Sequence, residues 1–127
     1  THITPNKTVF FCNMMYHIIT NGKQAEFSNS KNQEVVDWSK FKNKKIRIRI
    51  WTEGDVFQPL GMKNRKKISD FLINEKIDNI SKKTQSVLTV DGEIAWVCGL
   101  RISDWAKITK DTKQKALLTI KPAREYE

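Results

Sequence analysis

The sequence predicts an α+β domain dominated by sheet, with one main helix. Three observations carry this expectation. Residues 46–51, Ile-Arg-Ile-Arg-Ile-Trp, alternate apolar and basic side chains with the period of a half-buried strand. Residues 86–90 and 93–97 are two apolar runs separated by Asp91-Gly92, a pair suited to the positive φ angles of a tight hairpin turn. Residues 66–76 lack Gly and Pro and repeat Ile68, Phe71, Leu72 and Glu75 at helical spacing.

In chain order, residues 9–19 are rich in Phe, Met and Ile and read as extended. Asn21-Gly22 then offers another hairpin turn. Along 46–50 the isoleucines face inward and Arg47 and Arg49 outward. Thr52-Glu53-Gly54-Asp55 reads as a turn. Pro59 and Gly61 exclude helix before residue 66. Residues 116–120 form a further strand. The domain division places a linker or extra strands of the same domain in residues 1–45, the main unit in 46–121 and a tail in 122–127.

With 127 residues the chain has the length of one domain. Its 39% hydrophobic content is enough for a core without disulfides or metals. The apolar runs are too short to span a bilayer, and the start has no signal-peptide pattern. Cys12 and Cys98 are far apart and read as two buried thiols in a reducing cytoplasm.

The charge is the strongest functional signal. Lys and Arg number 23 against 14 Asp and Glu, a net +9, which points to an anionic partner, nucleic acid or an acidic membrane surface. The densest cluster is Lys63, Arg65, Lys66 and Lys67, at the expected helix start. Free amides and the dipole there favour phosphate, and cations at that end oppose the dipole unless an anion binds. A solvated charge run is the competing account. Arg47 and Arg49 could grip phosphates or keep a sheet face wet. Arg101 and Lys107 are the next candidates.

Catalytic equipment is not visible. His2 and His17 lack partners at ligand spacing, and neither HxxxH nor CxxC occurs, so no metal site is expected. The five glycines are scattered and make no phosphate-cradling loop. Asp55, Asp70 and Glu75 could be acid–base groups, but turn and helix-surface roles suit them better. Of the tryptophans Trp38, Trp51, Trp96 and Trp105, which could stack bases, Trp96 between Ile94 and Val97 is the surest core member.

Four motifs in order add a resemblance. They are Gly54-Asp55-Val56-Phe57-Gln58-Pro59-Leu60-Gly61-Met62, Lys66-Lys67-Ile68-Ser69-Asp70-Phe71, Ile94-Ala95-Trp96-Val97-Cys98-Gly99-Leu100-Arg101-Ile102, and Lys107-Ile108-Thr109 with Thr112. The series closely resembles the C-terminal domain of bacterial tRNA(Ile)-lysidine synthetase, over roughly residues 46–121. Val35-Val36-Asp37 is similar to a stretch preceding its first strand; Cys98 and Trp105 depart from the pattern.

The resemblance implies a fold similar to part of a phenylalanyl-tRNA synthetase subunit. It also implies a parent ligase that adenylates the wobble cytidine of an isoleucine tRNA with a CAU anticodon, using ATP, and then attaches lysine. That chemistry belongs to an N-terminal catalytic domain with an SGGxDS loop, a pattern this sequence lacks. The expectation is a non-catalytic domain in the cytoplasm, away from membranes, without cofactors of its own; ATP and lysine are the parent's substrates. It would dock the acceptor-stem region of tRNA(Ile) through Lys63, Arg65, Lys66, Lys67, Arg101 and Lys107. Asp55, Pro59, Gly61 and Asp70 would set the turn and helix start. The alternative is a structural domain that packs on the catalytic domain or forms a homodimer.

Overall fold

A computed structural model describes residues 1–20 and 32–123; the expected Asn21-Gly22 turn lies outside them. The described residues form three layers. One sheet has the strand order β1 (Val9–Phe11), β2 (Met14–Ile19), β10 (Lys115–Pro122), β3 (Gln33–Asp37). A second has the order β4 (Ile46–Ile50), β7 (Ser86–Val90), β8 (Glu93–Val97), β9 (Arg101–Ile102). The third layer is a small hairpin, β5 (Val56–Phe57) and β6 (Lys66–Lys67), with helix α1 (Ile68–Asn74). A one-turn helix α2 (Asn79–Lys82) follows, its first turn capped by the Asp78 carboxylate, which accepts from the Ser81 N–H at 2.8 Å.

Burial follows the strand period. The main core lies between the sheets and holds Ile18, Val36, Ile48, Leu88, Trp96 and Leu118. The smaller core lies between the second sheet and α1, with Phe57, Ile68, Phe71, Leu72, Val87 and Val97. β7 is buried along its whole length because both its faces are covered: Leu88 points into one core and Val87 into the other. A hydrogen bond of 2.7 Å between the Tyr16 hydroxyl and Ser86 Oγ ties the two sheets together.

Several elements differ from expectation. Residues 9–19 are a hairpin rather than one extended stretch. Cys12 and Asn13 both have positive φ (49° and 63°) and form its turn, a conformation for which Cys gives no sequence signal; the turn leaves Cys12 exposed rather than buried, whereas Cys98 is buried as expected. β3 was not marked as a strand. It pairs with β10 on the side opposite β2, and β1 lies outside β2, so β1, β2 and β3 join a sheet whose fourth strand comes from the far end of the chain.

The helix is shorter than the 66–76 that spacing predicts. Lys66 and Lys67 pair with Phe57 and Val56 as strand, so the helix starts at Ile68. It stops because Lys76 takes a φ of +58°, while the Ile77 N–H returns to the Leu72 carbonyl at 3.1 Å. That closure usually falls to glycine, and no glycine marks it here. The Asp91-Gly92 turn (φ 48° and 88°) and the inward isoleucines of β4 are as expected.

Candidate nucleic-acid interface

The basic cluster sits on the third layer, and the surrounding residues explain its position. After Gly54 (φ +93°) the chain turns, and the Asp55 carboxylate closes the turn by accepting from the Thr52 N–H at 2.8 Å. The Asp55 carbonyl accepts from the Ile68 N–H at 2.9 Å, which anchors the start of α1. The loop that follows is stitched to residues 102–104. The Leu60 N–H donates to the Ile102 carbonyl, the Asp104 N–H to the Gln58 carbonyl, and the Gly61 N–H to Asp104 Oδ1 at 3.0 Å. Gly61 has a φ of +82°, a conformation that L side chains strain to adopt. Asp55, Pro59 and Gly61 thus hold the backbone, as expected; Asp70 is exposed in the first turn of α1.

This stitching leaves residues 63–65 exposed between two pinned ends. Lys63, Arg65 and Lys67 are exposed and Lys66 is half-buried. None of the four has an ion pair or side-chain hydrogen bond with a described residue. The cluster runs into the helix start as expected, but that start is later than the spacing predicts: Lys66 and Lys67 belong to β6, and Lys67 is the N-cap residue of the seven-residue α1, without a side-chain cap hydrogen bond. The cations therefore form a strand-and-loop cluster that leads into the first turn of α1.

The other two candidates are engaged. Arg101 lies on β9 with its guanidinium 5.5 Å from the Phe71 ring centroid, so it covers α1. Lys107 donates to both carboxylate oxygens of Asp104 at 3.2 Å. Hydrogen bonds from Gly61 and then Lys107 hold the Asp104 carboxyl below the usual carboxylate range. Of the outward arginines of β4, Arg49 is committed to Asp55 and Arg47 stays exposed.

A small cavity of about 130 Å³ opens beside Arg65, lined also by Gln58, Glu93, Asp104 and Trp105. Among the described residues, no group of three or more His, Cys, Asp or Glu side chains could hold a metal ion. No helix among them is long and apolar enough to cross a membrane. Burial pulls the Asp55 carboxyl upward, but hydrogen bonds from Arg49 and Thr52 together outweigh it and hold the group below its ordinary range. A carboxylate so held is a poor proton acceptor at neutral pH.

The sequence-based search weighed Arg47 but passed over the lysines that precede it. Lys42, Lys44, Lys45 and Arg47 are all exposed and lead into or along β4. Their spacing crosses the boundary between a loop and a strand, so no single periodicity marks them.

Two packed sheets with a helix-and-hairpin layer carrying exposed cations define a basic α+β domain. The chain belongs to the family described as the TilS substrate C-terminal domain, whose model matches residues 46–118. Among its relatives, the tRNA(Ile)-lysidine synthase of Clostridium acetobutylicum is 40% identical over 108 residues, covering 85% of this chain and 23% of that protein. The tRNA(Ile)-lysidine synthase of Clostridium perfringens is 35% identical over 99 residues, 78% of this chain and 21% of that protein. A crystal structure of a TilS C-terminal domain superposes with a TM-score of 0.80 over 95% of this chain and 94% of that one; at 20% identity this likeness concerns the fold. The chain spans about a quarter of the length of the relatives it matches.

Proposed function

We propose that this domain docks the acceptor-stem region of tRNA(Ile) for a parent enzyme that attaches lysine to the wobble cytidine of the CAU anticodon, and that it is not itself catalytic. The observation that carries this is the set Lys63, Arg65, Lys66 and Lys67, four cations without carboxylate partners among the described residues, on a loop pinned at both ends. Duplex RNA is recognised mostly through phosphate and 2′-hydroxyl contacts, which suits a fixed cationic surface. Holding a stem far from the reacting base orients that base at a separate catalytic domain and adds avidity. ATP and lysine would act there, and this domain would need no cofactor.

The test is binding of this chain to isoleucine-CAU tRNA and to its acceptor minihelix over a salt series. With about three to five phosphates neutralised, log affinity should fall against log salt with a slope of roughly −2 to −5. Reversing Lys63, Arg65, Lys66 and Lys67 to Glu should weaken binding and leave the fold intact. Unchanged binding would remove the cluster from the interface.

One observation favours a second reading, in which the domain packs on another part of its parent. Ile73 and Ile80 are 59% and 81% exposed on the helical layer. A parent enzyme whose binding of tRNA is unaffected by the four reversals, but whose stability drops on Ile73→Asp, would support it.

A further inference from the structure

The helix-facing side of the second sheet is closed over Val87 and Val97 by Phe57, Ile68 and Phe71, and β7 stays buried to its end, whereas Lys45 and Arg47 beside it are exposed and Arg49 is half-buried. A groove of about 620 Å³ opens there, lined by Thr1, Lys45, Arg47, Ile48, Arg49, Thr89 and the Asp91-Gly92 turn. Lys45, Arg47 and Arg49 stand at i, i+2 and i+4, so their side chains share one face at intervals of about 6.6 Å. That interval is comparable with the step between successive phosphates on one nucleic-acid strand. Arg47 lies opposite Thr89 in the register, and His2 bridges Arg47 from the outer edge.

The charges in the groove are unequal in role. Asp55 immobilises Arg49 through two hydrogen bonds, which makes it a fixed wall. Asp91 Oδ1 accepts from the Lys45 backbone N–H at 2.9 Å and so closes the hairpin end. Lys45 and Arg47 have no side-chain partner among the described residues. Lys42 and Lys44 extend the same positive potential along the approach to β4.

We infer that this groove is a second RNA site, which takes a run of duplex phosphates on Lys45 and Arg47, above a floor formed by the buried Thr89. This rests on the docking function proposed above and extends it from a loop cluster to a track. Asp55 is the joint of that track, since it holds Arg49 at the groove and, through its carbonyl, Ile68 next to Lys67.

The experiment measures binding of the 127-residue chain to a hairpin RNA carrying the isoleucine acceptor stem, over a salt series, for wild type, Arg47→Glu, Lys45→Glu and the fourfold reversal at 63, 65, 66 and 67. Each groove variant should bind about tenfold more weakly near 100 mM salt and lower the salt slope by about one. Arg47→Gln should lower the slope with an unchanged melting temperature, which separates lost contact from lost fold. Wild-type affinity and slope for folded Arg47→Glu, beside lost binding for the fourfold reversal, would overturn the groove and leave the docking function standing. No salt-dependent binding by any form would overturn both. Equally tight, Arg47-dependent binding to phosphatidylserine vesicles would overturn the assignment to RNA.

Discussion

Arg49 and Asp55 are joined by two parallel hydrogen bonds, Nη1 to Oδ2 at 2.8 Å and Nη2 to Oδ1 at 3.1 Å. The pair links β4 to the turn that starts the third layer. Asp55 is the more enclosed partner, its side chain 15% exposed against 39% for Arg49. The carboxylate also accepts from the Thr52 N–H and the Asp55 carbonyl from the Ile68 N–H, so the turn, the strand and the helix start converge on one residue.

Asp55→Asn should therefore destabilise the domain at neutral pH by about 1–2 kcal/mol, a figure kept small because the guanidinium can be solvated again. The folded-state pKa of Asp55 lies below its unfolded value. Its contribution is present above the unfolded pKa, near 4, and is lost as pH falls through the depressed folded value. Denaturant midpoints measured from pH 7 down to pH 2 should fall less steeply in Asp55→Asn than in wild type. Parallel acid limbs for the two proteins would contradict this role.

Trp96 poses the opposite case. It is 1% exposed in the main core, and its indole N–H finds no acceptor among the described residues. A buried donor without a partner costs about 1–3 kcal/mol. Trp96→Phe removes that cost together with part of the ring volume, so the two effects offset and stability should stay within about 1 kcal/mol of wild type. Trp96→Ala, which only removes volume, should cost about 3–5 kcal/mol. Urea midpoints of the two variants separate these outcomes; equal losses would mean that the indole nitrogen is satisfied in solution.

Much of the fold was legible because its signals are local. The alternation of β4, the Asp91-Gly92 turn and the apolar spacing of Ile68, Phe71 and Leu72 each sit within a few residues. The remainder depends on distant partners. Lys66 and Lys67 have no strand character of their own and become strand by pairing with Phe57 and Val56. β10 is central because β2 and β3, from the first third of the chain, flank it. At the site, the cluster at 63–67 was visible as a charge run, whereas the commitment of Arg49 to Asp55 follows neither helix nor strand spacing. The groove beside Arg47 was hidden for a similar reason: its walls on β4 and β7 are distant in the sequence and meet only through strand pairing.

Lys107 and Asp104 supply a prediction whose two halves have opposite signs. Lys107 is 45% exposed but already bonded to Asp104, so the pair adds little net charge to the interface. Asp104 stays ionised well into the acid range because of the Gly61 amide and the Lys107 ammonium. Lys107→Ala should then weaken RNA binding by no more than about fivefold, because an exposed pair is worth at most about 1 kcal/mol. Asp104→Asn keeps an oxygen that can accept from the Gly61 N–H, so the loop should hold its shape. The same substitution removes a charge that repels phosphate and frees Lys107. Its affinity should rise about two- to fivefold, with a salt slope steeper by up to about one. A salt titration of both variants on the minihelix reads both halves. If Asp104→Asn binds more weakly than wild type with an unchanged melting temperature, the carboxylate takes part in RNA contact directly.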